Sequence, residues 1–179
     1  MTTVIGIDPS YSCTGVAVWV DGDVRTFSVR TSPTLPRVQR QHAIASDVVA
    51  CLDPTEPTVC VIEGVYQSGF GRVSLDLAGL HDVLVYEFVR YGARVGVVAA
   101  KSAKLFATGD GAADKKAMLL AAKLLLGRQV SNHNEADALW FMTMGVYWMG
   151  HAQPLNMDVR NDAVSKIKWI IPRGEFTWK

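Results

Sequence analysis

Short apolar runs separated by turn residues alternate with longer segments of helical periodicity along this 179-residue chain. Three apolar runs come first, at Thr3–Asp8, Val16–Val20 and Val24–Arg30. The residues between them, PSYSCTG at 9–15 and the tripeptide DGD at 21–23, are typical of tight turns. The pattern therefore predicts three strands in an antiparallel meander.

The rest of the chain alternates predicted helices with two further strands. Continuous apolar runs at Val59–Gly64 and Arg94–Ala99 are typical of buried strands, and strand–helix–strand order implies parallel pairing. Helical periodicity is found at Arg37–Leu52, Ser74–Tyr91, Lys101–Ala107, Ala112–Leu126 and Glu135–Trp148. We therefore predict an α/β domain over residues 1–150, with a mixed five-stranded sheet (three antiparallel strands and two parallel) flanked by helices. Residues 151–179 would be a C-terminal extension of unknown role.

Two carboxylates lie at the strand ends where ligands bind in a sheet of this kind. Asp8 and Glu63 each end a predicted strand, and open α/β sheets bind ligands at the carboxyl ends of their strands. Asp137 begins the last helix and shares a face with Asn134, three residues earlier. Oxygen donors of this kind suit Mg²⁺ or Mn²⁺. Two such ions, about 3.5–4 Å apart, can hydrolyse a phosphodiester.

Each of these residues also has an ordinary structural explanation. Asp137 could lie in a helical first turn that is capped by Asn134, and Glu63 could pair with a basic side chain. Asp8, before a proline, could simply start a turn. His133 and Glu135 are weaker metal-ligand candidates, since His133 fits a solvent-facing loop and Glu135 points away from Asp137. The ordered set of three carboxylates favours the functional interpretation.

Positive charge is local. The whole chain has a net charge of +1, whereas residues 101–128 carry six basic side chains and two acidic ones. The basic residues are Lys101, Lys104, Lys115, Lys116, Lys123 and Arg128. This segment is a candidate phosphate-binding surface, although Lys116 and Lys123 could equally lie on a solvated helix face.

Three stretches together resemble the acidic motifs of the RuvC-type Holliday junction resolvases, a family of the RNase H-like superfamily that includes bacteriophage members. They are IGIDPS with TG at 5–15, VIEGVY at 61–66 and NEADAL at 134–139. The resemblance runs from Val4 to Trp148. It implies an RNase H-like fold and a homodimer that nicks two symmetric strands of a four-way DNA junction with divalent metal, two ions per site.

The resemblance also implies roles for individual residues. Residues 109–115 (GDGAADK) match a G-x-G-x-x-[DE]-K segment that lysines flank in the family, and one of those lysines supports catalysis. The match favours Lys115 first and Lys104 second as catalytic. Lys101 and Lys116 would join them in binding DNA, and Tyr66 matches an aromatic position near the junction's exchange point. The family usually has a second acid or a histidine where this chain has Asn134. Asn134 could still ligate through its carbonyl oxygen; otherwise Glu135 or His133 substitutes, or the second metal is held more weakly.

Partner and compartment follow from less specific features. The predicted helix Ser74–Tyr91 is apolar on more than one face, which suits a subunit interface. The three cysteines are odd in number and without a C-x-x-C pair, which favours a reducing compartment. With no membrane-spanning run, we expect no membrane partner and a cytoplasmic location in a bacterial or phage-infected cell.

Three other functions remain open at this point. A non-catalytic RNase H-like module that binds branched DNA would explain Asn134. A nuclease of the same fold could act on flaps or RNA–DNA hybrids, but those enzymes need no dimer. An actin-like phosphotransferase also starts with a strand and an aspartate, yet it needs two such domains and further glycine-rich loops, and this chain is too short.

Overall fold

A computed structural model describes residues 2–53, 55–65, 75–151 and 157–170. In chain order, the described elements are β1 (Thr3–Asp8), β2 (Thr14–Val20), β3 (Asp23–Val29), α1 (Arg37–Val49), β4 (Thr58–Glu63), α2 (Leu75–Arg90), β5 (Arg94–Val98), α3 (Ala100–Thr108), α4 (Lys115–Leu126), α5 (His133–Trp148), α6 (Met157–Ser165) and β6 (Lys168–Ile170). Of the helices in these ranges, none is long and apolar enough to cross a membrane.

The strands form one mixed sheet in the order β3-β2-β1-β4-β5-β6. The β3-β2-β1 meander is antiparallel, and β4 is parallel to both β1 and β5, as predicted. The predicted number of five strands is wrong, because Lys168–Ile170 adds a sixth strand antiparallel to β5. Three residues that mix a lysine with a tryptophan are too few to show strand periodicity in the sequence.

The alternation of side chains along each strand divides the core into two layers. Val4, Val59 and Val61 face the layer that contains α3, α4, α5 and α6. The neighbouring positions, such as Ile5 and Ile62, face α1 and α2 on the other side. The two end residues Asp8 and Glu63 continue the first series, so both belong to the face that α5 covers.

Helix α5 lies against the middle of the sheet because two strand residues are glycines. A Cβ atom built on Gly6 of β1 would overlap the backbone of Ala138 and Met142. One built on Gly15 of β2 would overlap the backbone of Asn134. The absence of side chains at these two positions therefore sets how closely α5 approaches β1 and β2.

Two helix starts differ from the sequence prediction. Helix α4 begins at Lys115 rather than Ala112, because the Asp114 side chain accepts a hydrogen bond from the Ala117 N–H at 2.8 Å and caps the helix there. The N-cap of α5 is Asn132, not Asn134, and its side chain accepts from the Glu135 N–H at 3.0 Å. The predicted helix Ser74–Tyr91 corresponds to α2, and its predicted first residue, Ser74, lies outside the described residues.

The segment 157–170 packs on the domain rather than standing apart from it. Ala163 and Val164 of α6 join the same buried layer as α5, and Ile167 is buried as well. The Trp169 ring lies 4.3 Å, centroid to centroid, from that of Trp148 at the end of α5. Apolar contacts thus hold β6 against the edge of the sheet.

Replacing Gly6 with alanine should destabilise the protein strongly, because backbone atoms on α5 cannot yield as a flexible side chain can. We expect the free energy of unfolding to fall by about 3 kcal/mol or more, measured by urea denaturation. Gly79→Ala in α2 is the matched control, since its new methyl group would meet only the end of the Gln41 side chain. That control should be neutral or stabilising by up to about 1 kcal/mol. Equal stability of the two variants would contradict this account of α5 packing.

Candidate active site

Asp8 and Glu63 are neighbours at the carboxyl ends of two parallel strands. Ile7 of β1 is in register with Ile62 of β4, so the next residue along each strand is one of the two acids. Their side chains are hydrogen-bonded to each other, which requires one carboxyl group to carry a proton. Both residues are partly buried. The sheet thus forms a carboxyl pair from strand ends that are 55 residues apart in the chain.

Asp137 is the third carboxylate, and α5 brings it to this pair. It lies in the first turns of α5, between the two backbone segments that contact Gly15 and Gly6. Its charge acts on Asp8, and that of Glu63 acts on Asp137. The three predicted acids therefore form one electrostatically coupled group.

The protonation of this group reflects its surroundings. Burial, then the hydrogen bond and charge of Glu63, then the charge of Asp137 raise the pKa of Asp8 to about 9. Burial and the charge of Glu63 raise the pKa of Asp137 to about 6. At neutral pH Asp8 therefore holds a proton, which a nearby cation would displace.

Two of the predicted lysines are close enough for their positive charges to lower the pKa values of these acids. The charge of Lys115, the first residue of α4, lowers the pKa of both Asp8 and Asp137 and so offsets part of the upward shift. Lys104 of α3 acts on Asp137 in the same way. Lys101 and Lys116 are exposed on the same two helices. Lys115 thus acts on two of the three acids and Lys104 on one, and their catalytic ranking stays a prediction.

The sequence matches the protein-family model "Crossover junction endodeoxyribonuclease RuvC" over residues 4–143, which include all three acids and both lysines. The chain belongs to the RuvC family. It is 30% identical to the crossover junction endodeoxyribonuclease RuvC of Erythrobacter litoralis over 145 residues, which cover 78% of this chain and 89% of that protein. It is 31% identical to the RuvC of Anaeromyxobacter sp. strain K over 140 residues, 76% of each chain.

Solved RuvC structures share the fold. The Thermus thermophilus RuvC structure superposes with a TM-score of 0.68 at 25% identity, covering 86% of this chain and 99% of that one. T. thermophilus RuvC in complex with a Holliday junction substrate gives a TM-score of 0.67 at 22% identity, covering 87% and 100% of the two chains. The RNase H-like architecture expected from the RuvC resemblance is thereby confirmed.

Asn134, where the RuvC resemblance led us to expect an acid or a histidine, faces the loop that follows β1. Its side-chain amide donates a hydrogen bond to the backbone oxygen of Cys13, just before β2. That bond uses the nitrogen and leaves the Oδ1 atom as the one that could face a cation. Asn134 thus remains a candidate ligand through oxygen only.

Glu135 does not fit the weaker ligand role that the sequence left open for it. It is 4% exposed, and its carboxylate accepts hydrogen bonds from Ser28 Oγ (2.7 Å), Thr26 Oγ1 (3.1 Å), Asn132 Nδ2 (3.0 Å) and the Ser131 N–H (3.3 Å). These bonds hold the pKa of Glu135 below its ordinary value despite burial. Glu135 therefore joins the start of α5 to β3 through hydrogen bonds and does not face the other acids.

Two predicted residues remain, His133 and Tyr66. His133 is the partly buried first residue of α5, and no contact in the described part of the chain joins it to the three carboxylates. Tyr66 lies outside the described residues. The prediction for His133 therefore gains no support from the described contacts, and the one for Tyr66 stays a prediction.

Sequence reasoning missed the contacts that hold the loop after Asp8. Arg40 of α1 donates from Nη2 to the Tyr11 backbone oxygen at 2.6 Å and from Nε to Thr31 Oγ1 at 3.0 Å. The Arg40 guanidinium also lies 4.9 Å from the centroid of the Tyr11 ring. Within the loop, Thr14 Oγ1 donates to the Ser10 backbone oxygen at 2.7 Å. No local pattern signals Arg40, because it lies in α1, and the strands β2 and β3 stand between that helix and the loop along the chain.

The three carboxylates are ligands of the type that a divalent cation prefers, but their side chains are not already arranged around a metal position. Within the described residues, no three His, Cys, Asp or Glu side chains are arranged to hold a metal ion. Asp8 and Glu63 instead face each other across a shared proton, with Asp137 nearby. Oxygen donors that repel one another in a partly buried site are the donor set that a hard cation prefers. Exchange of the shared proton for a cation would turn this pair into ligands.

Metal-free protein should lose stability as the pH rises from 6 to 9. Asp8 has a folded-state pKa of about 9 against an ordinary 3.8, so the folded state binds more protons than the unfolded state in this range. We expect the Tm in EDTA to fall across it. Added Mg²⁺ or Mn²⁺ should raise the Tm more at pH 9 than at pH 6, because it no longer competes with the proton.

The control for this prediction is Asp8→Asn, which should abolish most of the pH dependence between pH 6 and 9. A metal-induced rise in Tm that is equal at both pH values would contradict the shared-proton description of the pair.

Proposed function

We propose that this RuvC-family protein is a metal-dependent endonuclease that resolves four-way DNA junctions by paired symmetric nicks. The observation that carries the proposal is the convergence of Asp8, Glu63 and Asp137, with Lys115 beside them, in a chain of this family. The RuvC relatives at about 30% identity are named as crossover junction endodeoxyribonucleases, which supports the same reaction here.

The site's own residues suit phosphodiester hydrolysis. Asp8, Glu63 and Asp137 would hold Mg²⁺ or Mn²⁺, with Asn134 Oδ1 as a weaker, uncharged ligand. We propose two ions, which when bound would supply an activated water and stabilise the leaving oxygen. The Lys115 ammonium, opposed to Asp8 and Asp137, would stabilise negative charge that develops on the phosphate. Lys104 would do the same from the side of Asp137.

Four-way DNA is the substrate that the surroundings support best. A T. thermophilus RuvC of the same fold has been solved with a Holliday junction substrate. In this chain, the exposed Lys101 and Lys116 lie on the two helices that carry Lys104 and Lys115. Such lysines would bind backbone phosphates next to the scissile one. Because the proposed substrate is cellular DNA, we place the protein in the cytoplasm of a bacterial or phage-infected cell.

Asp8→Asn should lower cleavage of a synthetic four-way junction at least about 100-fold while leaving junction binding unchanged, because it removes charge from the metal site and no volume. The measurement is single-turnover cleavage in Mg²⁺ beside linear duplex and an RNA–DNA hybrid. Asp47→Asn, which alters an exposed carboxylate on α1, is the matched control and should cleave normally.

Other outcomes of that experiment have defined meanings. Cleavage that persists in Asp8→Asn would overturn the proposed site. Binding without cleavage by the wild-type protein in both Mg²⁺ and Mn²⁺ would favour a branched-DNA-binding module instead. Cleavage of the hybrid alone would keep the chemistry and change the substrate.

We further propose that the protein works as a homodimer that forms through α2. The buried side of this helix carries Leu80, Leu84 and Phe88, whereas Leu75 and Tyr86 on its outer side are 82% and 64% exposed. Large apolar side chains that line the outer face of one helix are typical of a subunit interface. A twofold axis there would present two active sites to the two like strands of a junction.

Wild-type protein should sediment as a dimer at micromolar concentration, and Tyr86→Glu should sediment as a monomer, because a carboxylate would have to be buried in the interface. Val38→Thr on α1 changes another exposed apolar residue (67% exposed) outside α2 and should remain a dimer. A monomeric wild-type protein in analytical ultracentrifugation would refute the α2 interface.

A further inference from the structure

Arg30 directly follows β3, on the face of the sheet that α5 covers. Side chains alternate along a strand, and the hydroxyl groups of Thr26 and Ser28 both donate hydrogen bonds to a carboxylate of α5. Val29 belongs to the apolar layer on the opposite face. The next residue, Arg30, therefore continues the series that faces α5. Asp8 belongs to the same face of the sheet.

Strand pairing also puts Arg30 at the edge of the sheet where the carboxylates lie. Gly15 of β2 pairs with Asp8 of β1 on one side and with Ser28 of β3 on the other. Ser28 is thus two strand spacings from Asp8, roughly 10 Å, and Arg30 lies two residues, about 7 Å, further towards the open edge. Roughly 12 Å therefore separate the backbones of Arg30 and Asp8.

Arg30 and the predicted active-site lysines flank the acids on opposite sides. The strand order is β3-β2-β1-β4-β5-β6, so β1 and β4, which end in the two acids, lie between β3 and β5. Helix α3 carries Lys101 and Lys104, begins at Ala100 directly after β5, and packs on the α5 face. A DNA strand that crosses the acids can therefore contact these lysines at one end and Arg30 at the other.

The guanidinium of Arg30 is available to a ligand. Arg30 is exposed, and within the described residues no hydrogen bond, ion pair or ring contact occupies its side chain. The next two arginines along the chain are engaged instead: Arg37 is paired with Asp76 at 2.9 Å, and Arg40 donates to Thr31 Oγ1 at 3.0 Å. A guanidinium presents its donors in a planar fork that matches two oxygens of a phosphate.

We propose that Arg30 binds a backbone phosphate of the DNA strand that is cut, on the far side of the scissile phosphate from Lys101 and Lys104. The two phosphates would be about three nucleotides apart, given the roughly 12 Å between Arg30 and Asp8 and a rise of about 3.4 Å per nucleotide. The inference rests on the proposed nuclease function and adds the path of the substrate. The cut strand would cross the edge of the sheet from α3 towards β3.

The first test is single-turnover cleavage of a four-way junction in Mg²⁺, with increasing enzyme and over a range of salt concentrations. For Arg30→Gln, we expect the half-saturating enzyme concentration to rise several-fold and its dependence on log salt to fall by about 0.9, the value of one phosphate contact. The plateau rate should be unchanged, because Arg30 does not touch the acids. Arg30→Lys, which keeps the charge, should recover most of the lost binding.

Junctions that carry one neutral methylphosphonate locate the phosphate itself. The replacement is moved, from one substrate to the next, across the positions about two to four nucleotides from the scissile phosphate on either side. At one position the wild-type protein should bind several-fold more weakly, whereas Arg30→Gln should lose no further affinity there, because its contact is already absent. An arginine that only supported the fold would show no such coupled position.

Arg25→Gln is the matched control. Arg25 is another exposed arginine of β3, but it lies in mid-strand on the face away from α5, where its charge acts on Cys51. Its replacement should alter neither the half-saturating concentration nor the salt dependence.

Two results would overturn the inference while the nuclease function stands. One is an Arg30→Gln enzyme that matches the wild type in half-saturating concentration and salt dependence. The other is a set of methylphosphonate effects that are equal in the two enzymes at every position. If the wild-type protein fails to cleave the junction, the proposed function falls and this inference falls with it.

Discussion

The close contact between the backbone of α5 and the glycines of β1 and β2 is the constraint on which the site depends. Two parallel strands alone can place Asp8 beside Glu63, because strand register fixes both ends. The third acid comes from a helix, and the side chains between a helix and a sheet normally hold the two backbones apart. At Gly6 and Gly15 no side chain keeps α5 away from the sheet. Asp137 therefore joins the other two acids as a result of backbone contact rather than of a long side chain.

The acids are held in an arrangement that is unfavourable for them alone. Burial and mutual repulsion raise the pKa values of Asp8 and Asp137, and Lys115 relieves only part of the repulsion. A partly buried group of like charges is a common property of sites that act on a charged substrate. Its stability has to come from elsewhere, and the two apolar layers on either side of the sheet supply it. The fold thus maintains a site that attracts cations.

Much of the fold and the centre of the site were predictable from the sequence, because they depend on local patterns. Strand alternation placed Asp8 and Glu63 at strand ends, and the motif order identified Asp137. The roles of Asn132 and Glu135 were not predictable, since two asparagines, Asn132 and Asn134, lie at the start of the helix and the choice between them depends on Ser28, more than 100 residues earlier. The strand β6 was missed because three residues carry no periodicity, and its position depends on packing of Trp169 against α5.

The hydrogen bonds of Glu135 have a consequence for how tightly the proposed metal ions would bind. A fourth carboxylate lies only two residues from Asp137, yet hydroxyl and amide donors from β3 and the start of α5 satisfy its charge. The affinity of oxygen sites for hard cations rises with the number of charged ligands. With three acids, of which Asp8 holds a proton until a cation displaces it, the proposed metal site would have modest affinity. Phosphate oxygens of DNA would add to the oxygen donors of such a site, so the metal ion and the substrate would favour each other's binding.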